Sequence, residues 1–137
     1  MFNNKNLLYI DSAIAPSEKA IYYAQPFNTS LEFLEANEQM PFNATITLLI
    51  AIGEEVKKTD NQLLQTQPGI EWQNIGNLRN VLAHDYRGVD PDIVFKVVKT
   101  ELQKLIQALI ELLKKFPQNE IDEVLETKQY KHLKGII

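Results

Sequence analysis

Cysteine is absent from this chain of 137 residues, so neither a disulfide nor a thiolate metal site can form. Glycine is scarce, at five residues, and no hairpin signal stands between β-rich runs, which argues against a β-sheet fold. No apolar run approaches the roughly 18 residues of a membrane helix. The stretch Met1–Asn6 also lacks the apolar core of a signal peptide. We therefore expect a cytoplasmic protein without a membrane anchor.

The charge balance argues against a protein that coats nucleic acid non-specifically. The chain has 14 Lys and Arg residues against 18 Asp and Glu residues, a formal net charge of -4. Binding to many phosphates requires clustered cations. A nucleic-acid site would therefore have to be a small basic region on an acidic body.

Apolar residues recur at spacings of three and four, which predicts an all-α, up-and-down helical bundle. Pro16 should kink the first helix or force it to restart, because proline removes a backbone donor. Thr29 and Glu32 have the spacing of a capping box at the start of a short helix. Pro41 is expected to open the next helix. Its predicted core face comprises Thr45, Leu48, Leu49, Ile52 and Val56.

Two further helices flank a polar segment. The first should run from about Glu71 to Ala83, with one apolar stripe made by Trp72, Ile75, Leu78 and Leu82. Asp90 and Pro91 are a strong start for the second, which continues to about Phe116 and is the longest in the chain. We divide the chain into a helical bundle of residues 1–116 and a C-terminal extension of residues 117–137. The extension should contain a short helix docked on the bundle.

The polar segment Arg79–Tyr86 gathers a guanidinium, a carboxamide, an imidazole, a carboxylate and a phenol within eight residues. Asn80 and His84 are four apart and share a helix face. Arg79 and His84 are five apart, so a regular helix would separate them by about 140°. One straight helix cannot aim both at one phosphate. Either the helix ends near His84 and turns it round, or two copies of the chain each contribute a residue.

Arginine and histidine together suit RNA cleavage through attack of a 2′-OH on the neighbouring phosphate. His84 could take or deliver the proton near neutral pH, and Arg79 could stabilise the charge on the phosphorane oxygens. Tyr86 could stack on a base, and Asn80 could orient the imidazole. The reaction would yield a cyclic phosphate and would spare DNA.

Structural roles explain the same residues without catalysis. His84 could cap a helix end, and Arg79 could pair with Asp85 or Glu71 on the surface. Glu54, on the preceding helix, could contact the polar segment or face solvent. Glycine at position 53 destabilises a helix interior by about 1 kcal/mol relative to alanine. Its presence there therefore indicates that another helix packs too closely for a side chain. The sequence contains no recognised metal or nucleotide motif, so we expect neither a metal nor a cofactor.

The segment resembles the HepT-like toxins of the HEPN superfamily. Their hallmark is Arg, four residues, His, one residue and Tyr, which stand here as Arg79, His84 and Tyr86. The resemblance covers roughly Leu7 to Leu113. Its further matches, in order, are Ile52–Glu54, Val56–Lys58, Ile70–Trp72, Leu78–Tyr86, Gly88–Asp90 and Val97–Lys99.

The resemblance implies a HEPN-like bundle that forms a homodimer or larger oligomer, with each motif at the end of a helix facing a shared cleft. It implies a metal-independent endoribonuclease that is the toxin of a toxin–antitoxin pair. Arg79 and His84 would be catalytic, and Asn80, Asp85 and Glu54 would support them. An MNT-type nucleotidyltransferase antitoxin would transfer AMP from ATP to Tyr86. The anion would then fill the cleft and occupy Arg79.

Two other functions remain open from the sequence. The chain could be a catalytically silent module that binds RNA or a nucleotide, or that acts mainly as a partner of a nucleotidyltransferase. The acidic net charge favours this reading slightly. It could also be a modification substrate whose activity is seen only without AMP on Tyr86.

Overall fold

The structure, a computed structural model, describes residues 2–85, 88–125 and 133. Every regular element in these residues is helical, and the predicted all-α bundle is confirmed. Within the same residues, no helix combines the length and the apolar character needed to cross a membrane. The helices are α1 (Lys5–Ala24), α2 (Ser30–Glu35), α3 (Met40–Lys58), α4 (Asn61–Leu64), α5 (Trp72–Asp85), α6 (Pro91–Lys96), α7 (Leu102–Leu113) and α8 (Gln118–Leu125).

Helix α1 continues through Pro16 without a break, so the predicted restart does not occur. Proline lacks the N–H that would bond one turn back. The adjacent Ser17 hydroxyl donates to the carbonyl of Ala13 at 2.7 Å, which supplies a further hydrogen bond in this turn. Packing against both α3 and α7 also holds α1 in the core. Tertiary contacts therefore override the local effect of the proline.

The connection between α2 and α3 has an uncommon backbone conformation. Thr29 caps α2 by accepting from the Glu32 amide at 3.2 Å, as the capping box predicts. The segment Ala36–Gln39 then forms a 3₁₀ turn in which three consecutive non-glycine residues have positive φ, between 49° and 68°. Each such residue costs roughly 1–2 kcal/mol relative to the right-handed conformation. Pro41 follows in the first turn of α3, where the sequence predicts it.

Helix α6, a π-helical segment at Val97–Glu101, and α7 form one continuous central helix. The π segment is closed by the Leu102 amide, which donates to the carbonyl of Val97 five residues earlier. Before the segment, Phe95 packs on Phe33 of α2 with ring centroids 5.8 Å apart. After it, α7 packs on α1. The central helix thus contacts different neighbours on the two sides of its π segment.

Beyond the central helix, α8 returns to the beginning of the chain. The side-chain amide of Asn4 donates to Glu120 Oε1 at 3.0 Å. Ile121 is buried and belongs to the same core as α1 and α7. These contacts attach α8 to the N-terminal end of α1.

Helices α3 and α5 approach closely at Gly53, as predicted from the glycine in a helix interior. A Cβ built at Gly53 would overlap the Cβ and Cγ of Arg79. It would also come within 3.4 Å of the carbonyl oxygen of Ile75. Only a residue without a side chain lets the two helices, and therefore Arg79, take these positions.

Gly53→Ala should destabilise the fold by about 1–3 kcal/mol, the usual cost of overpacking. Gly76→Ala is the matched control on α5, because its Cβ would lie 3.5 Å from Lys57 Cγ, an ordinary contact. There the gain in helix propensity should dominate and stabilise by up to about 1 kcal/mol. Urea denaturation measures both free energies of unfolding. Equal effects of the two substitutions would contradict the close approach at Gly53.

Candidate functional site

Arg79 lies on α5 and points towards α3. One terminal nitrogen, Nη2, forms an ion pair with Glu54 Oε1, and the other, Nη1, donates to Asn80 Oδ1 at 3.0 Å. The Arg79 side chain is only 23% exposed. Its Nε is buried and has no partner among the described residues. The guanidinium is therefore fixed in the groove between the two helices, and the alternative pairings with Asp85 or Glu71 are not formed.

A second cation joins this group from α3. Lys57 Nζ donates to Asn80 Oδ1 at 3.2 Å, so one carboxamide oxygen accepts from both Lys57 and Arg79. We call Glu54, Lys57, Arg79 and Asn80 the Arg79 cluster. Two cations and one carboxylate leave it with a formal charge of +1 on a chain whose total charge is -4. This is the small basic region on an acidic body that a phosphate-binding site would require.

The cluster can be found only partly from the sequence. Glu54 is recognisable as a side chain that could reach Arg79, and the structure brings the two together. Lys57 lies in the C-terminal turn of α3, where the favourable interaction of a cation with the helix dipole already explains a lysine. The sequence feature that could have placed Lys57 beside Arg79 is its position one turn after Gly53, where α3 and α5 touch.

His84 and Asp85 lie in the last turn of α5, and both are exposed. Because α5 continues through Asp85, His84 keeps its helical position and is not turned round towards Arg79. The two residues are then about 140° apart around the helix axis. In the described part of the chain, no hydrogen bond joins Asn80 to the His84 imidazole. The Asn80 oxygen instead accepts from Lys57 and Arg79.

The remaining predicted residue, Tyr86, lies outside the described residues, as does Arg87. The last turns of α5 before it carry an exposed apolar side chain. Val81, on the same side of α5 as His84, is 51% exposed. Residues 2–85, 88–125 and 133 contain no group of three or more His, Cys, Asp or Glu side chains that could hold a metal ion.

Comparison with known proteins connects this geometry to a family. A family model described as "Ribonuclease HepT-like" matches residues 18–116, which include α3, α5 and the Arg79 cluster. The chain belongs to the HepT-like ribonuclease family. The match begins inside α1 and ends after α7, so α8 follows the part shared with other HepT-like ribonucleases.

Individual relatives agree with this membership. A protein of Methanocaldococcus jannaschii named as an RNase is 31% identical over 80 residues, which cover 58% of this chain and 73% of the relative. A Thermococcus cleftensis protein named as a ribonuclease HepT is 36% identical over 62 residues, covering 45% of this chain and 56% of the relative. No solved structure matches the chain significantly.

Proposed function

We propose that this chain is an endoribonuclease toxin that cleaves RNA without a metal ion. The observation that supports it most directly is the Arg79 cluster, in which Glu54 and Asn80 hold a guanidinium beside a second cation. Each terminal nitrogen of Arg79 keeps one further N–H for a phosphate oxygen. Family membership supplies the expectation that RNA is the substrate.

In the proposed reaction, His84 transfers a proton and Arg79 stabilises negative charge. A 2′-oxygen of the RNA attacks the adjacent phosphorus, and the bond to the 5′-oxygen of the next nucleotide breaks. His84 moves one proton, either from the attacking hydroxyl or to the departing oxygen, and water exchanges the other. Arg79 stabilises the extra negative charge on the phosphorane oxygens. The products are a 2′,3′-cyclic phosphate and a 5′-hydroxyl.

A dimer would bring the two catalytic residues together. They lie on different sides of one helix, so a single copy does not aim both at one phosphate. Exposed Val81 offers an apolar contact beside His84 for a second copy. In a two-fold arrangement the His84 of one protomer can then face the Arg79 of its partner. We propose a homodimer as the smallest active unit, within a larger oligomer or alone.

The proposed regulation acts through Tyr86. An MNT-type nucleotidyltransferase antitoxin would transfer AMP to its hydroxyl, and the added anion would compete with RNA for Arg79. The cytoplasm is the proposed location, because RNA and ATP meet there. Co-expression with the antitoxin should add the mass of AMP to the Tyr86 peptide and abolish cleavage. A Tyr86→Phe variant that still gains the mass would place the modification elsewhere.

The decisive experiment uses the purified chain with EDTA present. Single-stranded RNA should be cut, and the same strand with 2′-deoxyribose at every position should remain intact. Fragments should end in a cyclic phosphate, which mass spectrometry identifies. Cleavage of both strands, or cleavage that EDTA abolishes, would contradict the proposed reaction.

The second candidate function is a catalytically silent module that binds RNA or a nucleotide, or that serves as partner of a nucleotidyltransferase. The acidic chain and the single net positive charge of the Arg79 cluster favour it. An unmodified protein that binds RNA but leaves it intact under the conditions above would support this function. A protein that carries the mass of AMP and does not cut would instead be a silenced toxin.

A further inference from the structure

A polar cleft lies beside the Arg79 cluster, between the C-terminal end of α3, α4 and the first half of α5. Its volume is about 430 Å³, within the range of about 300–1,000 Å³ that is typical of small-ligand sites. Buried apolar side chains of Val56, Leu64 and Trp72 lie at its base. The Trp72 indole is fixed because its Nε1 donates to the carbonyl of Gln67 at 3.1 Å.

Carboxamides dominate the rim of this cleft. Among the described residues, five carboxamides line it, all exposed: Asn61, Gln65, Gln73, Asn77 and Asn80. Gln73 and Asn77 form no side-chain hydrogen bond with any described residue. A carboxamide offers a donor and an acceptor side by side. Two of them are thus available for a ligand that presents a complementary pair.

The cleft and the Arg79 cluster are continuous. Asn80 lines the cleft, and its Oδ1 accepts from both Arg79 and Lys57. Lys57 also lines it, which places a cation where the cleft meets the cluster. A phosphate bound at the cluster would therefore leave the attached nucleoside at the entrance of the cleft.

We propose that this carboxamide cleft binds one nucleobase of the RNA strand, next to the phosphate that is cut, and that it prefers adenine. On the base edge that duplexes present in the major groove, and that an unpaired base also exposes, asparagine and glutamine pair with adenine N6–H and N7. On the same edge cytosine suits carboxylates and guanine suits arginine. The described residues that line the cleft include neither a carboxylate nor an arginine. This inference rests on RNA as the substrate of the proposed function, and it assigns Gln73 and Asn77 to base recognition and Lys57 to the phosphate.

Binding can be measured without cleavage in the full-length His84→Ala protein. Fluorescence anisotropy should show tighter binding of oligoadenylate than of oligouridylate of the same length. Adding Gln73→Ala and Asn77→Ala should weaken oligoadenylate binding about tenfold or more, the usual effect of losing a paired base contact. Oligouridylate binding should change little. Asn74→Ala is the matched control, because Asn74 lies on α5 outside the cleft and is bonded to Glu71.

Three outcomes would overturn the inference. Equal affinity of the His84→Ala protein for both RNAs would remove the adenine preference. Equal weakening by Asn74→Ala would assign the effect to α5 in general. Free AMP that competes as strongly as oligoadenylate would make the cleft a mononucleotide site instead of part of an RNA path.

Cleavage assays and binding assays together test the nuclease activity and the adenine site separately. If wild-type protein cuts RNA, mapped cut sites should be enriched in adenine on one side, and the enrichment should fall in the Gln73→Ala, Asn77→Ala variant. Cutting without that enrichment contradicts the cleft and leaves the nuclease intact. If unmodified wild-type protein fails to cut, and the two substitutions still weaken oligoadenylate binding, the result supports the cleft and contradicts the nuclease.

Discussion

His84→Ala should lower the rate of RNA cleavage by about a hundredfold to ten-thousandfold, the usual contribution of a positioned acid or base. The imidazole of His84 is the proposed acid or base of the site. His84 is exposed, so its loss should not destabilise the fold. The chain holds two histidines, and His132→Ala is the matched control. The measurement is the initial rate on single-stranded RNA with EDTA present.

The same variant tests whether the site is shared between protomers. His84→Ala and Arg79→Ala should each retain at most about a hundredth of the wild-type activity alone. If Arg79 of one copy works with His84 of its partner, a mixed dimer contains one intact site and one doubly altered site. Refolding an equal mixture should then recover about a quarter of the wild-type activity, because half of the dimers are mixed.

No recovery in mixtures that do form mixed dimers would assign both residues to one copy of the chain. A mass measurement of the mixed species, with a tag on one variant, confirms that exchange took place. Cleavage by His84→Ala at the wild-type rate would remove His84 from the mechanism altogether.

Asp11 should make the fold less stable as the pH rises. It lies on α1, is 6% exposed, and its Oδ1 has no partner among the described residues. Burial raises the pKa of Asp11 from 3.8 to about 7, because removal from water disfavours the carboxylate. Between these two values the folded protein binds more protons at this site than the unfolded chain does. The free energy of unfolding therefore falls as the pH rises through this window.

Asp11→Asn should abolish this dependence. Each unit of pKa difference corresponds to about 1.4 kcal/mol, so the shift sets an upper limit of roughly 4 kcal/mol on the stability lost above pH 7. The variant should resemble the wild type near pH 4 and be more stable at pH 8. Urea denaturation at several pH values gives the difference directly.

Asp122→Asn is the control for a general charge effect, since Asp122 is exposed on α8. It should leave the loss of stability between pH 4 and pH 8 as in the wild type. Parallel curves for the wild type and Asp11→Asn would show that the buried carboxyl is not responsible.

The sequence predicts the architecture well because the apolar pattern records which face of each helix is buried. Trp72 and Leu82 of the predicted stripe on α5 are buried, and Ile75 and Leu78 are partly buried. The caps at Thr29 and Asp90 also form as predicted, since a capping side chain acts within a few residues of itself. Such local signals require no knowledge of the rest of the chain.

Contacts between distant residues are less visible in the sequence. Lys57 and Asn80 are 23 positions apart, and their hydrogen bond depends on how α3 and α5 cross. The crossing is set by Gly53, whose close approach to Arg79 the sequence indicates without naming the partner. Asp11 gives no signal at all, because a single polar residue in an amphipathic helix normally faces solvent. Of the left-handed residues Asn37–Gln39, only Asn37 is a type that tolerates this conformation, and no glycine marks the turn in the sequence.

The π segment at Val97–Glu101 determines where the central helix tolerates a change in length. A π turn contains one residue more than an α turn. Deleting one residue inside the segment would convert it to α-helix and keep Phe95 and α7 facing their present neighbours. The same deletion within α7 would rotate all later side chains by about 100° and turn the buried stripe towards water. Homologues that are one residue shorter in this helix should therefore lack one of the residues of the segment Val97–Glu101.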